Sequence, residues 1–329
     1  MSGDVRGVAS ELLELDSERA IEEIVAGLAD TVLRDLRRRG AVVAISGGID
    51  SSLVAALCAR AFGPERVLGL FLPEADSSPD SLQLGRLLAA SLGIETIVED
   101  ITPTLTAFGC YQRRDEAIRA AIPDYGPGWR SKIVLPPLLG SDRLRTYSVV
   151  AESPEGKRIE TRLPAASYLA VVAATNFKQR TRKTLEYFHA DRLVYAVAGT
   201  PNRLEYDQGF FVKLGDGAAD VKPIAHLYKT QVFQLAEHLD VPEPIRSRTP
   251  TTDTHSLPQG QDEFYFSVPY WTLDACLAAL DRGLPASAIA EDVGLSAEDV
   301  RRVYTDIESK RRVAHYLHRP PLLVAPLKT

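Results

Sequence analysis

AVVAISGGIDSSLVAA, residues 41–56, is an apolar run that stops abruptly at SGGIDSS and then resumes with helical spacing. The Val and Ala run fits a buried parallel strand, and Gly47 and Gly48 let backbone approach a ligand closely. Ser51 and Ser52 are residues that can cap the helix that follows. Backbone N–H groups and the positive helix end then converge on one point, which suits a phosphate or pyrophosphate. A Walker loop needs Gly, four residues, then Gly-Lys-Ser/Thr, and no such run is present; a GxGxxG fingerprint is also absent at this position.

Upstream, Ile21, Ile24, Val25, Leu28, Val32 and Leu36 recur at helical spacing, and Gly40 supplies a stop. Downstream, residues 67–72 read as a second buried strand, 80–92 as a helix and 94–98 as a third strand. This alternation is the rhythm of βαβ units. It predicts an α/β fold with a doubly wound parallel sheet, and it places the first loop at the carboxyl edge, where such sheets bind ligands. Residues 1–16 read as an arm or short helix, and 17–329 as one domain. From 102 to 165 the alternation breaks down, and Pro and Gly punctuate the chain. Within that insertion, 146–151 and 158–163 flank SPEG as the strands of a hairpin flank a turn. A segment of this length either folds locally or acts as a lid.

Regular structure returns at Tyr168 with YLAVVAATNFKQRTRKTLEYFHA, a helix carrying Asn176, Lys178, Arg180, Arg182 and Lys183. A basic run on a helix ordinarily reads as a solvated face. A strand at 193–198 follows, and at its carboxyl end comes GTPNRLEYDQGFFVKLGDGAAD. Thr200 and Asn202 sit at the strand end and Glu205 follows by a helical turn, with Lys213, Asp216, Asp220 and Lys229 flanking a Gly-rich loop. Two strand ends, one with Asp50 and one with Glu205, bring a pair of carboxylates to a Mg²⁺ ion that also holds ATP phosphates.

Composition bounds the partners. The 329 residues carry a formal net charge of −6 and 45% hydrophobic residues, enough for a sizeable core and unlike a broad nucleic-acid surface. Cys58, Cys110 and Cys276 are odd in number, far apart and outside any CxxC pair, so they signal neither a disulfide framework nor a zinc site. The six histidines show no metal-ligand spacing. No apolar run approaches the roughly 20 residues that span a bilayer, and nothing at the N-terminus resembles a signal peptide, so a cytoplasmic enzyme is expected. AIAEDVGLSAEDVRR has the outline of a helix-turn-helix, but its acidic residues favour ordinary helical packing over DNA reading.

The residues SGGIDSS resemble the PP-loop of the N-type ATP pyrophosphatases, whose fold is adenine nucleotide alpha hydrolase-like. Together with NFKQRTR, GTPNRLE, GFFVKLGDGAAD, PIAHLYKTQV and TPTTD, in this order, they are similar to the NAD synthetase family over residues 17–317. The resemblance implies an enzyme that adenylates the nicotinate carboxylate of deamido-NAD with ATP and lets ammonia displace AMP. It assigns Ser46, Gly47, Gly48, Asp50, Ser51 and Ser52 to ATP phosphates, Thr200, Lys229 and Thr251 to ATP, and Asp50 with Glu205 to Mg²⁺. Arg180, Lys213, Asp220 and Lys310 match positions that contact deamido-NAD, and Asp50, Asp220 and Lys229 are the catalytic candidates, with Asp220 orienting ammonia or its proton. Two departures bear on the acyl end: Phe264, Tyr265 and Phe266 are bulkier than the family pattern, and Ser309 stands where that pattern has His or an aromatic. About 40 residues precede the phosphate loop, too few for the glutaminase domain of longer members. Free ammonia is therefore the expected donor, with a separate glutaminase as the alternative. The family forms dimers, and 175–188 matches a helix of that interface, so a homodimer is expected. The alternatives are a related amide ligase for another carboxylic acid and a non-catalytic nucleotide-binding module.

Overall fold

The computed structural model describes residues 7–140, 146–251, 254–260 and 265–325. α1 (Val8–Leu13) and α2 (Ser17–Ala29), the latter prolonged by a π-type turn over Asp30–Asp35, lead into β1 (Ala41–Ala44). α3 (Ile49–Phe62), β2 (Val67–Phe71), α4 (Pro79–Leu92) and β3 (Glu95–Val98) continue the alternation. Next come α5 (Thr102–Ala107), α6 (Cys110–Arg119), β4 (Arg130–Val134), β5 (Ser148–Glu152) and β6 (Arg158–Arg162). The long α7 (Ala165–Leu193) returns the chain to β7 (Ala196–Val197), followed by α8 (Arg203–Gln208), α9 (Lys229–His238), α10 (Glu243–Arg246), α11 (Tyr270–Asp281) and α12 (Ala297–His318).

β1, β2, β3 and β7 form a parallel sheet in the order β3-β2-β1-β7. Its strands are apolar on both faces because both faces are covered. Ala41 and Val43 point into a cluster with α2, α3, α4 and α9, whereas Val42, Leu68 and Leu70 meet residues of α5, α6 and α7. The doubly wound architecture read from the sequence is the one observed. The chain steps outward from β1 to β3 and then crosses back to β7 on the other side of β1. The crevice between the carboxyl ends of β1 and β7 is thus the switch point of the sheet.

Three segments differ from the sequence reading. Residues 102–119, where the alternation was expected to break down, form two helices, α5 and α6, that supply Leu105 and Cys110 to the sheet-covering layer. The hairpin is present as β5 and β6, but β4 extends it to a three-stranded antiparallel sheet in the order β4-β5-β6. Ile133, Val149, Ala151 and Leu163 close a small core with Ile118 and Val171, so the segment folds locally. The expected strand at 193–198 is shorter, because α7 runs on to Leu193 and Val194 ends it in the left-handed conformation.

The C-terminal part is helical, as expected. α11, α12 and the residues around Ile289 share one core with α1, whose Ala9, Leu12 and Leu13 are buried. The helix-turn-helix-like segment places Ile289 and Val300 in that core, which is ordinary packing. No helix of the described residues is long and apolar enough to cross a membrane. Cys58, Cys110 and Cys276 are buried free thiols.

Candidate active site

The phosphate loop is braced by its own serines. Gly48 is the N-cap of α3 with no side-chain cap bond, a correction to the expectation that Ser51 and Ser52 cap the helix. They sit within its first turn, where their hydroxyls donate back to the Gly48 carbonyl at 3.1 and 2.8 Å. Ser51 Oγ also accepts the Ser46 N–H at 3.2 Å, and Ser46 Oγ accepts the Gly48 N–H at 3.3 Å. Gly47 has φ +74°, and a Cβ there would lie 2.5 Å from the Ser81 carbonyl oxygen, so only glycine fits. A helix leaves its first N–H groups without an intrahelical acceptor, and those of α3 belong to residues lining the cavity. That end of α3 is a seat for an anion.

Beside it stands a pair of acids held by one asparagine. Asp50 lies in the first turn of α3 and Glu205 in the first turn of α8, where Asn202 and Glu205 form a capping box. Asn202 Nδ2 donates to Asp50 Oδ1 at 2.9 Å, and the Asn202 N–H donates to Glu205 Oε2 at 3.1 Å. Burial and the neighbouring Asp50 raise the Glu205 carboxyl above its ordinary range. The fully buried Lys229 donates its ammonium to Asp50 Oδ2. Lys229 is positioned by Asp274 of α11, which accepts the N–H groups of Lys229 and Thr230 at 3.2 and 2.8 Å. Burial pushes that carboxyl up to about 6. Two acids held close at such a cost suit a divalent cation, whose charge relieves their repulsion. Two protein carboxylates completed by substrate phosphates is how Mg²⁺ is commonly held. Among the described residues no cluster of three His, Cys, Asp or Glu forms a closed metal site.

These groups open onto a cavity of about 420 Å³. Tyr168, Val172, Thr175, Gln179, Lys183 and Glu186, on one face of α7, line it over a length of about 27 Å at 1.5 Å per residue. Ser46, Gly48, Asp50, Ser51, Thr200, Glu205 and Thr251, all expected at the site, line the same cavity. Ser52 is fully buried behind the loop, and Lys229 reaches the cavity through Asp50.

The remaining expected residues are not among the described lining residues. Asp220 accepts the Val197 N–H at 2.7 Å and the Tyr187 hydroxyl at 3.3 Å, so its carboxylate braces β7. Arg180 Nε donates to the Lys213 carbonyl at 3.3 Å. Lys213 Nζ donates to the carbonyls of Tyr316 and Arg319 at the end of α12, each at 2.9 Å. Lys310 Nζ pairs with Asp306 at 2.6 Å and donates to the carbonyl of Tyr265, itself a lining residue, at 2.8 Å. Of the bulky segment, Phe264 lies outside the described residues, as do Thr252 and Asp253 of TPTTD.

Several lining groups were given no site role in the sequence reading. Arg248 donates to Ser81 Oγ at 3.2 Å beside the phosphate loop. Lys183 Nζ pairs with Glu186 at 2.6 Å, and Asp216 accepts the Val212 N–H at 2.8 Å; burial raises both carboxyls. The signal for Lys183 and Asp216 was present in the basic run and the Gly-rich loop. Tyr147 and Ile133 come from the insertion, and nothing in their local sequence pointed to a ligand.

A family profile described as NAD synthase matches residues 20–122 and 155–315. The chain is 59% identical over 312 residues to the NH(3)-dependent NAD(+) synthetase of Mesorhizobium japonicum, covering 95% of this chain and 98% of that one. It is 37% identical over 271 residues to the enzyme of the same name from Thermotoga maritima, covering 82% and 87%. Among solved structures, an NH3-dependent NAD synthetase from Campylobacter jejuni matches with a TM-score of 0.63 at 21% identity, covering 95% of this chain and 100% of that one. An NMN synthetase from Francisella tularensis matches with a TM-score of 0.66 at 22% identity, covering 94% and 99%. At such identities the two structures speak for the fold alone.

Proposed function

The chain belongs to the NAD synthase family, and from that premise we propose that it is an ATP-dependent ligase that amidates the nicotinate carboxylate of deamido-NAD with ammonia. A carboxylate oxygen attacks the α-phosphorus of ATP and pyrophosphate leaves. The nitrogen of ammonia then attacks the acyl carbon, AMP departs, and the nitrogen gives up a proton. The observation that carries this reading is the Asp50–Asn202–Glu205 arrangement at the switch point, beside the N-terminus of α3.

Each residue has a physical task. The N–H groups of the first turn of α3 hold phosphate oxygens and stabilise charge that grows on the leaving pyrophosphate. Asp50 and Glu205 would hold Mg²⁺, which would supply neutralisation of the phosphate charge. Lys229 adds a fixed positive charge beneath Asp50, and Asn202 sets the spacing of the two acids. Arg248, Thr200 and Thr251 line the ATP side. Glu186 and Asp216, whose carboxylates are made more basic by burial, are placed to accept in their ionised forms the proton that nitrogen releases. Asp220, Arg180, Lys213 and Lys310 act by bracing β7, α12 and Tyr265 at the cavity margin.

The chain works as a homodimer in the cytoplasm. Leu169 and Phe188 of α7 are 63% and 58% exposed, on an outer stripe with Arg180 and Thr184, which suits a second copy. Three buried free thiols agree with a reducing compartment. The test supplies deamido-NAD, ATP, Mg²⁺ and ammonia: NAD, AMP and pyrophosphate in equal amounts are expected, and ADP as the nucleotide product would overturn the reading.

A further inference from the structure

The residues between the two family-matched segments, 123–154, contribute Ile133 and Tyr147 to the cavity. Tyr147 stacks on Tyr168 of α7, with ring centroids 4.0 Å apart and planes at 11°. Tyr265, also lining the cavity, stacks on Phe210 at 4.8 Å and donates its hydroxyl to the Gln208 carbonyl at 2.7 Å. Gln208 closes α8, the helix that carries Glu205, and the Phe210 N–H donates to the Glu205 carbonyl at 2.8 Å. The aromatic wall is therefore continuous with the Glu205 side of the phosphate loop. Ser81, whose backbone Gly47 packs against, and Arg248, which donates to Ser81 Oγ, also line the cavity.

The same insertion holds a second wall in place. Edge strand β4 is covered by the segment after TPTTD: the Leu257 N–H donates to the Ser131 carbonyl at 3.2 Å, and the Ser131 N–H donates to Ser256 Oγ at 2.8 Å. Thr254 and His255, just before these contacts, line the cavity, and the buried Lys178 donates to the Thr254 carbonyl at 2.8 Å. The described residues of 123–154 thus line the cavity through Ile133 and Tyr147 and, through Ser131, hold the 254–257 segment that also lines it.

We propose that this insertion is an apolar roof over the acyl end of the site, and that Tyr147, stacked on Tyr168, is the positioning residue that keeps water from the mixed anhydride. The proposal rests on the ligase reading above. An acyl adenylate has two possible fates, aminolysis by ammonia or hydrolysis by water. Water is far the more abundant nucleophile, so a site that forms such an intermediate gains from excluding it. Hydrolysis adds water across the acyl–oxygen bond, returns the free carboxylate and releases AMP, so ATP is spent with no amide made.

The readout is the ratio of AMP released to NAD formed, at fixed ammonia, in wild type, Tyr147→Ala and Tyr147→Phe. Wild type and Tyr147→Phe, which keeps the stacked ring, hold the ratio at one. Tyr147→Ala raises it to about two or more, and added ammonia brings it back toward one. A ratio of one in Tyr147→Ala, whatever its rate, overturns the proposal, because a merely structural role slows turnover without changing the partition. Absence of NAD formation by wild type would instead defeat the ligase reading. Should Tyr147→Ala not fold, Tyr147→Val, which removes the ring but places a strand-favouring β-branched side chain next to β5, carries the same comparison.

Discussion

Asp50 and Glu205 sit in the first turns of two helices, 155 positions apart in sequence, yet Asn202 touches both at the N-terminal end of α3. The raised Glu205 carboxyl sets a pH dependence whose sign is fixed. A cation bound there must displace the proton that the folded protein retains, so protons and Mg²⁺ compete. The Mg²⁺ concentration for half-maximal rate should fall as pH rises through the neutral range, and Glu205→Gln should flatten that dependence. Asp50→Asn and Glu205→Gln should each lower kcat/KM by about 100-fold without loss of fold, since each removes charge rather than core volume. Unchanged kcat/KM at saturating Mg²⁺ in both variants would refute the metal assignment. Both acids were legible in the sequence because each follows a strand end and opens a helix, Asp50 after the Gly47–Gly48 pair and Glu205 three residues after Asn202. Asp274 was not: it lies in the apolar run of α11, and only the tertiary fold brings it to the start of α9.

α7 shows where helical periodicity stops being informative. Its pattern says which residues share a face but not what covers the face. The basic run read as solvated, yet Lys178 is fully buried and Lys183 nearly so, and only Arg180 of the five polar residues singled out there is exposed. Lys178 Nζ donates to Glu74 at 2.9 Å and Asp76 at 2.6 Å, acids about a hundred positions away that follow β2. Such a pair is invisible in local sequence, and burying it is tolerable only with both partners present. Arg114 of α6 completes the group by pairing with Asp76 at 2.5 Å. One face of α7 thus lines the cavity and another carries the ion network, and the remaining outer stripe, with Leu169 and Phe188, is exposed and is the face proposed to meet a second copy. Light scattering should give twice the 36.0 kDa chain mass, and Leu169→Glu with Phe188→Glu should reduce it to one chain, because each would bury a charge at the contact. A wild-type mass of one chain would refute the pairing. β4 was the strand missed by sequence reading: RSKIV alternates weakly and lies among Pro and Gly, so its pairing with β5 had no local signal.

At the scale of the whole molecule, an acidic chain handles polyanionic substrates by gathering its cationic groups in one place. The net charge is −6, while Arg182, Lys183 and Arg248 line the cavity and Lys229 lies beneath it. The parallel sheet was implied by the alternation of strands and helices, and with it the position of the first loop at the carboxyl edge, whereas the order β3-β2-β1-β7 emerges only from the folded chain. The roof was not implied, because residues 123–154 reach the cavity through contacts that only the folded chain makes. The central claim is that the phosphate loop presents the α-phosphorus of ATP to a carboxylate. Deamido-NAD labelled with ¹⁸O in its nicotinate carboxylate tests it most directly, with the products read by mass spectrometry. Transfer of one ¹⁸O to AMP for each NAD formed is the predicted result; unlabelled AMP, or label in inorganic phosphate, would contradict it.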